Sequence, residues 1–293
     1  MRLQHLRCAL LHRARPLVLA LMAGACSPLL PSQGRRGPAT PVARAVDPLA
    51  PPWVVRDAGM RRKQQVEVRA LLTSQVDSLV RVDTLRSFLE VAWSSVPGTT
   101  PPRVAGLITD VRGALGDAGL TAPAGLSLPF SFTSEIRDAS SQPTFLVPDA
   151  SSCSSVAGTV VHGVRETWLT LPDTLAPGRV WADSSVYLTC RDGIALTVEV
   201  VREFTPSVAR RRDGQLVVLI TRRSRSRVAG DGVQFGEPIV LLGEGEGLLS
   251  LEVALVGGVI LYGEGTSELR LEMRGRRRSQ RLVQESRILI REP

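Results

Sequence analysis

The chain has 293 residues, 43% of them hydrophobic and 22% charged, with a formal net charge of +8 and three histidines. That balance, with valine, leucine and isoleucine spread along the whole length, excludes a disordered chain and a coiled coil. His5 and His12 fall in a leader segment, so His162 alone remains, which excludes a histidine-cluster metal site and makes any histidine-based triad depend on one residue.

The positive charge does not point to nucleic acid. Arg2, Arg7, Arg13 and Arg15 belong to the leader, and without them 32 bases face 28 acids, a net +4. Lys63 is the only lysine, an arginine bias that reflects GC-rich coding more than selection for phosphate contacts. No nucleic-acid partner is expected.

Residues 1–25 read as a signal peptide: a basic stretch ends at Arg15, an apolar run spans Pro16 to Ala23, and small residues precede Cys26. The run is shorter than the roughly 20 residues needed to span a bilayer, and no transmembrane segment is expected elsewhere. Ala23-Gly24-Ala25-Cys26 resembles a bacterial lipobox, which implies that Cys26 is acylated and becomes the new N-terminus. Ala23-Gly24-Ala25 also fits an ordinary A-x-A cleavage site, so a soluble periplasmic or secreted protein is the alternative. Ser27 rather than aspartate after the cysteine favours the outer membrane, with the protein facing periplasm or exterior. Residues 26–60 carry Pro28, Pro31, Pro38, Pro41, Pro48, Pro51 and Pro52 and read as an extended tether.

From Gln65 the apolar period is two, the mark of half-buried strands. Val66 to Leu72 alternates, as does the segment through Val80, Val82, Phe88, Val91 and Trp93; Arg103 to Val111, Leu126 to Ile136 and Thr144 to Val147 read as three more strands. The spacing then widens to three to five at Val156, Val160, Val161, Val164, Trp168 and Leu169, which predicts one amphipathic helix capped by Ser152 or Ser154 and ended by Pro172. The two-residue period returns in strands near 179–191, 194–204, 214–228, 233–243, 247–256, 259–264 and 267–290, the last divided in two. Hairpin chemistry sits at Asp192-Gly193, Asp213-Gly214 and Gly257-Gly258. The expected fold is mainly β: a curved antiparallel meander, an open or half-closed barrel, with the helix packed on its concave face through Val160, Val164 and Trp168. It forms one domain over 61–293; two β domains cut near 150 are the alternative.

Cys153 and Cys190 are the even pair left in an exported chain and read as a disulfide that closes a loop worth about 4 kcal/mol in the chain-entropy account. Gly243 to Gly247 lacks the Lys-Ser or Lys-Thr and the helix start of a phosphate loop, so it reads as a hairpin turn or bulge. Arg222, Arg223, Arg225 and Arg227 are candidate anion contacts, weighed against charged faces that deter aggregation. Trp181 opens a strand as a large apolar anchor, and with Val160, Val164 and Trp168 it makes a candidate apolar ligand or core face. No catalytic constellation, metal site or cofactor is expected.

The segment Leu171-Pro172-Asp173-Thr174-Leu175-Ala176-Pro177-Gly178-Arg179-Val180-Trp181, followed by a hairpin and Gly-rich meanders, resembles a group of uncharacterised exported bacterial proteins known as domains of unknown function. The resemblance covers residues 64 to 290, implies no activity and transfers no site. The expected shape is also similar to the open barrels of lipoprotein carriers, an analogy of architecture alone. The functional expectation is a non-enzymatic envelope lipoprotein, membrane-bound by its lipid, that binds a lipid, another apolar ligand or an envelope protein. A structural role without a small ligand is the alternative, and a carboxylate-dependent hydrolase a lesser one.

Overall fold

The computed structural model describes residues 50–55, 61–96, 103–122, 127–135, 144–146, 164, 167–191, 194–234, 236–276 and 279–293. Alternating apolar and polar residues make almost all of this chain extended. The strands are β1 (Trp53–Val54), β2 (Arg61–Val76), β3 (Leu79–Val96), β4 (Arg103–Leu115), β5 (Phe130–Glu135), β6 (Thr144–Leu146), β7 (Thr174–Leu175), β8 (Trp181–Arg191), β9 (Ile194–Arg212), β10 (Gln215–Gln234), β11 (Glu237–Ala254), β12 (Ile260–Gly275) and β13 (Ser279–Arg291).

Eleven of them form one antiparallel sheet in the order β6-β5-β4-β3-β2-β13-β12-β11-β10-β9-β8, and β1 pairs with β7 apart from it. Each half of the chain is a meander in which consecutive strands pair antiparallel, through short turns at most of the joins. The final strand β13 returns to β2, with Ile290 opposite Val66 and Ile288 opposite Val68, so residues on both sides of position 150 share the sheet. β6 and β8 are its outer strands, and it does not close into a barrel.

The turns follow local chemistry. Asp213 and Gly214, at φ 49° and 78°, connect β9 to β10 in the twist-matched turn expected for Asp-Gly. Asp77, at φ 53°, turns β2 into β3 without a glycine, a hairpin that composition does not announce.

Three expectations are corrected. Gly243 to Gly247 is neither turn nor bulge: it lies inside β11, with Gly243 between Val228 and Leu271 and Gly247 between Ser224 and Ser267. The strands expected at 233–243 and 247–256 are therefore one. Alternation explains it, since Gly243, Gly245 and Gly247 share the inward face of one strand; a Cβ on Gly243 would lie 2.2 Å from Leu271 Cδ2. Likewise, 259–264 and the start of the next expected strand are continuous in β12.

The helix over Val156 to Leu169 is not seen. Of that span only Val164 and residues 167–169 are described; Val156, Val160 and Val161 lie outside the described residues. From Trp168 the chain is irregular up to β7. Thr167, Trp168 and Thr170 are weak helix formers, Pro172 disfavours helical geometry at Leu171, and the Thr167 hydroxyl donates to the Val164 carbonyl at 2.7 Å, a local bond that competes with the ladder.

One face of the sheet carries two large clusters of buried apolar side chains. At the end carrying the β9–β10 and β11–β12 turns, Val66, Leu89, Trp93, Ile220, Leu251 and Ile290 pack with Trp53, Val164, Leu169 and Leu175, so the chain's own crossing segment fills that end. At the opposite end a second cluster joins Tyr187, Ile194, Leu196, Val198, Val200, Val228, Leu241, Leu269, Leu271 and Leu282, all from β8 to β13.

Candidate functional site

Between the two apolar clusters the buried face turns polar. Strand register places Asp183, Arg202, Ser224, Gly247, Ser267 and Ser286 side by side on β8 to β13. The next row adds Ser185, Ser226 and Gln284, and the row before it adds Arg222 between Phe204 and Leu249. Arg202 is fully buried; its Nη1 lies 3.3 Å from Asp183 Oδ1 and donates to Ser185 Oγ at 3.1 Å. Gln284 Nε2 donates to Ser286 Oγ at 3.0 Å. Arg222 is 3% exposed. Such groups are costly to bury and stay only where hydrogen bonds and opposite charge compensate them. The arrangement is a strip of guanidinium, carboxylate, hydroxyl and amide groups between apolar walls.

Sequence reading missed this strip, although β9 carries its signal. Ile194, Leu196, Val198, Val200, Arg202 and Phe204 keep one period-two register, and Arg202 stands in an apolar position of it. By the same alternation Arg222 turns inward while Arg223, Arg225 and Arg227 turn outward and are exposed. The three outward arginines face carboxylates across the strands: Glu203 opposite Arg223, Glu246 opposite Arg225, and Glu199 and Glu244 on either side of Arg227.

Three of the four apolar candidates, Val164, Trp168 and Trp181, gather at the first cluster. Val164 is fully buried, Trp168 lies 5.0 Å from the Trp93 ring, and Trp181 stacks on Phe204 at 5.0 Å and 15°. Val160, Cys26 and Cys153 lie outside the described residues; of Cys190 the backbone is placed, opposite Ala195 at the end of β8. There is no disulfide among the described residues.

Titration is perturbed on the exposed face. Hydrogen bonds from Thr109 and Gln65 and the nearby Lys63 hold the Glu90 carboxyl below its ordinary range. Arg274 does the same for Glu272, and the bond to Glu264 pushes the Tyr262 phenol up. Among the described residues no three histidine, cysteine, aspartate or glutamate side chains come together to hold a metal ion, and no helix is long and apolar enough to cross a membrane.

Compared with protein-family models, curated proteins and solved structures, the chain matches none.

Proposed function

We propose that the chain is a non-enzymatic lipoprotein of the outer membrane, tethered through an acylated Cys26 and the proline-rich segment, that holds an amphiphile against the buried face of its sheet. The observation behind this reading is the difference between the two ends of that face. The first cluster is filled by the chain's own apolar segment through Val164, Leu169 and Leu175, whereas the second draws its members only from the sheet. The polar strip lies between them, where a head group would rest. Sheet twist and inward glycines favour a curled, trough-like form, and a Cys153 to Cys190 disulfide would pin the segment entering β8.

Native mass spectrometry of protein purified from the envelope, with a fluorescent fatty-acid titration, tests the reading. Co-purified lipid and saturable uptake are expected, and Val198→Trp, which fills the second cluster, should abolish uptake while the cooperative melt is kept. A wild type that carries no lipid and takes up no probe would sink it.

One observation favours a structural role instead. Ile194, Leu196, Val198 and Val200 are at most 5% exposed, so the second cluster is closed in this conformation. A scaffold would give a lipid-free protein whose crosslinks reach other envelope proteins through the charged face. Lipid incorporation by a Cys26→Ser chain would remove the tether from either reading.

A further inference from the structure

Most arginines of the exposed face are offset by a carboxylate. Arg210 and Arg212 both bind Glu252, Arg270 binds Glu268, Arg274 binds Glu272 at 2.7 Å, and Arg112 binds Asp110 at 2.8 Å. One row breaks the pattern. Arg287 of β13 is directly opposite Arg69 of β2, which is directly opposite Arg86 of β3, and all three are exposed on the same face. Like charges in directly opposed positions destabilise a strand pair, and here two such pairs adjoin.

Glu67, Glu264, Glu268 and Glu285 border the row, yet Arg69, Arg86 and Arg287 make no ion pair among the described residues. Glu67 is bound to Arg291, and Asp110 is taken by Arg112, whose guanidinium also lies 4.7 Å from the Phe88 ring centre. Glu285 stands one row away, opposite Leu71 and Glu268, and makes no ion pair with Arg69 or Arg287 among the described residues. Arg86 is held in place, its Nη2 donating to the Ala118 carbonyl at 2.7 Å. Thr266, next to Arg287 in the row, adds a hydroxyl donor.

We infer that Arg69, Arg86 and Arg287, which the strand register brings side by side, form a binding site for a phosphate group. A carboxylate brings one charge and engages one guanidinium fork. A phosphate monoester brings about −1.5 to −2 charges and three acceptor oxygens, which suits three adjacent forks and bidentate arginine geometry. The group could belong to a lipid head or to free phosphate. This inference concerns the exposed face and stands independently of ligand binding on the buried one.

The test compares chloride with inorganic phosphate at equal ionic strength, read by thermal melts and calorimetric titration of the full mature chain. Sedimentation with phosphatidylcholine vesicles, with or without phosphatidic acid, uses the Cys26→Ser chain so that an N-terminal lipid does not carry it down. Phosphate should raise the wild-type midpoint, or phosphatidic acid should capture the chain. The first alone identifies free phosphate, the second alone a lipid head, and both together the shared group. Arg69→Gln and Arg287→Gln should each weaken binding about tenfold, the scale of one hydrogen bond to a charged group, with midpoints in chloride unchanged or raised. Arg225→Gln should leave binding within twofold. No response to either probe, or an equal loss in Arg225→Gln, would overturn the site.

Discussion

Asp183 and Arg202 face each other across β8 and β9, Oδ1 3.3 Å from Nη1, each side chain 1% exposed. The pair holds opposite charges where water does not screen them, in a strip flanked by apolar clusters. Removing one member leaves a charge in the interior, so Asp183→Ala should cost about 3–5 kcal/mol, while the double change Asp183→Leu with Arg202→Met should recover most of that loss. Urea melts of the three proteins check it. A single variant as stable as the wild type would mean that the strip admits water.

Glycines within the strands are expected to differ sharply from one another. A Cβ on Gly265 would lie 2.1 Å from the Leu248 carbonyl oxygen and 2.7 Å from Leu249 Cα, backbone atoms that cannot swing away. At Gly113 the nearest atom is the Arg86 carbonyl oxygen at 3.8 Å, an ordinary contact. Gly265→Ala should therefore destabilise by about 1–3 kcal/mol through overpacking. Gly113→Ala should be neutral or stabilise by about 0.4–1 kcal/mol, because alanine restricts the unfolded chain. Thermal melts of the pair decide whether close packing requires these glycines.

Much of this fold is legible in the sequence because strand alternation is local. Val66 to Leu72, Val91 to Trp93 and Ile194 to Phe204 announce their strands, and Asp213-Gly214 announces its turn. What fails is information carried by neighbours distant in sequence. Gly243 to Gly247 reads as a break until Val228 and Leu271 are seen on either side of it. The helical spacing of Val164, Trp168 and Leu169 records that the segment is buried, but not how its backbone runs. Parity separates Arg222 from Arg223 once the strand is known, whereas nothing local joins Arg69, Arg86 and Arg287, which meet only because β13 returns to β2.

Glu90 gives the exposed face a defined acid response. Thr109 Oγ1 donates to its carboxylate at 2.7 Å and Gln65 Nε2 at 3.1 Å, with Lys63 Nζ 3.8 Å away. These partners favour the ionised form and depress the folded-state value, so the unfolded chain binds this proton more readily. The stabilisation is present above the ordinary glutamate value of about 4.3 and is lost as pH falls through the lower folded value. Thr109→Val should cost about 1 kcal/mol at neutral pH, and the difference from wild type should shrink on acidification. Urea midpoints measured from neutral pH down to about 3, below the ordinary glutamate value, test it; a difference independent of pH would assign the loss to packing.

β13 ends at Arg291, which is opposite both Gln65 and Tyr262, so one step further no strand pairs between β2 and β12 among the described residues. Gln64 spans that gap. Its side chain is buried, its Nε2 donates to the Ile260 carbonyl at 2.8 Å, and its Oε1 accepts from Trp93 Nε1 at 2.9 Å. An amide supplies both a donor and an acceptor at every pH, whereas a glutamate of the same shape does so only when protonated. Gln64→Leu should thus cost about 1–3 kcal/mol for the indole and carbonyl it deserts. Gln64→Glu separates hydrogen bonding from shape. The ionised carboxylate still accepts from Trp93 but sets a negative charge against the Ile260 carbonyl oxygen, whereas the protonated acid restores both bonds. Burial and that carbonyl raise the folded-state value of the introduced acid, so its stabilisation is complete below the ordinary glutamate value and lost as pH rises through the folded one. The Gln64→Glu protein should therefore approach wild-type stability in acid and fall behind it towards neutrality, while Gln64→Leu stays displaced by a constant amount. Parallel urea melts of the two variants across that range would refute the bridge if both differences from wild type were flat.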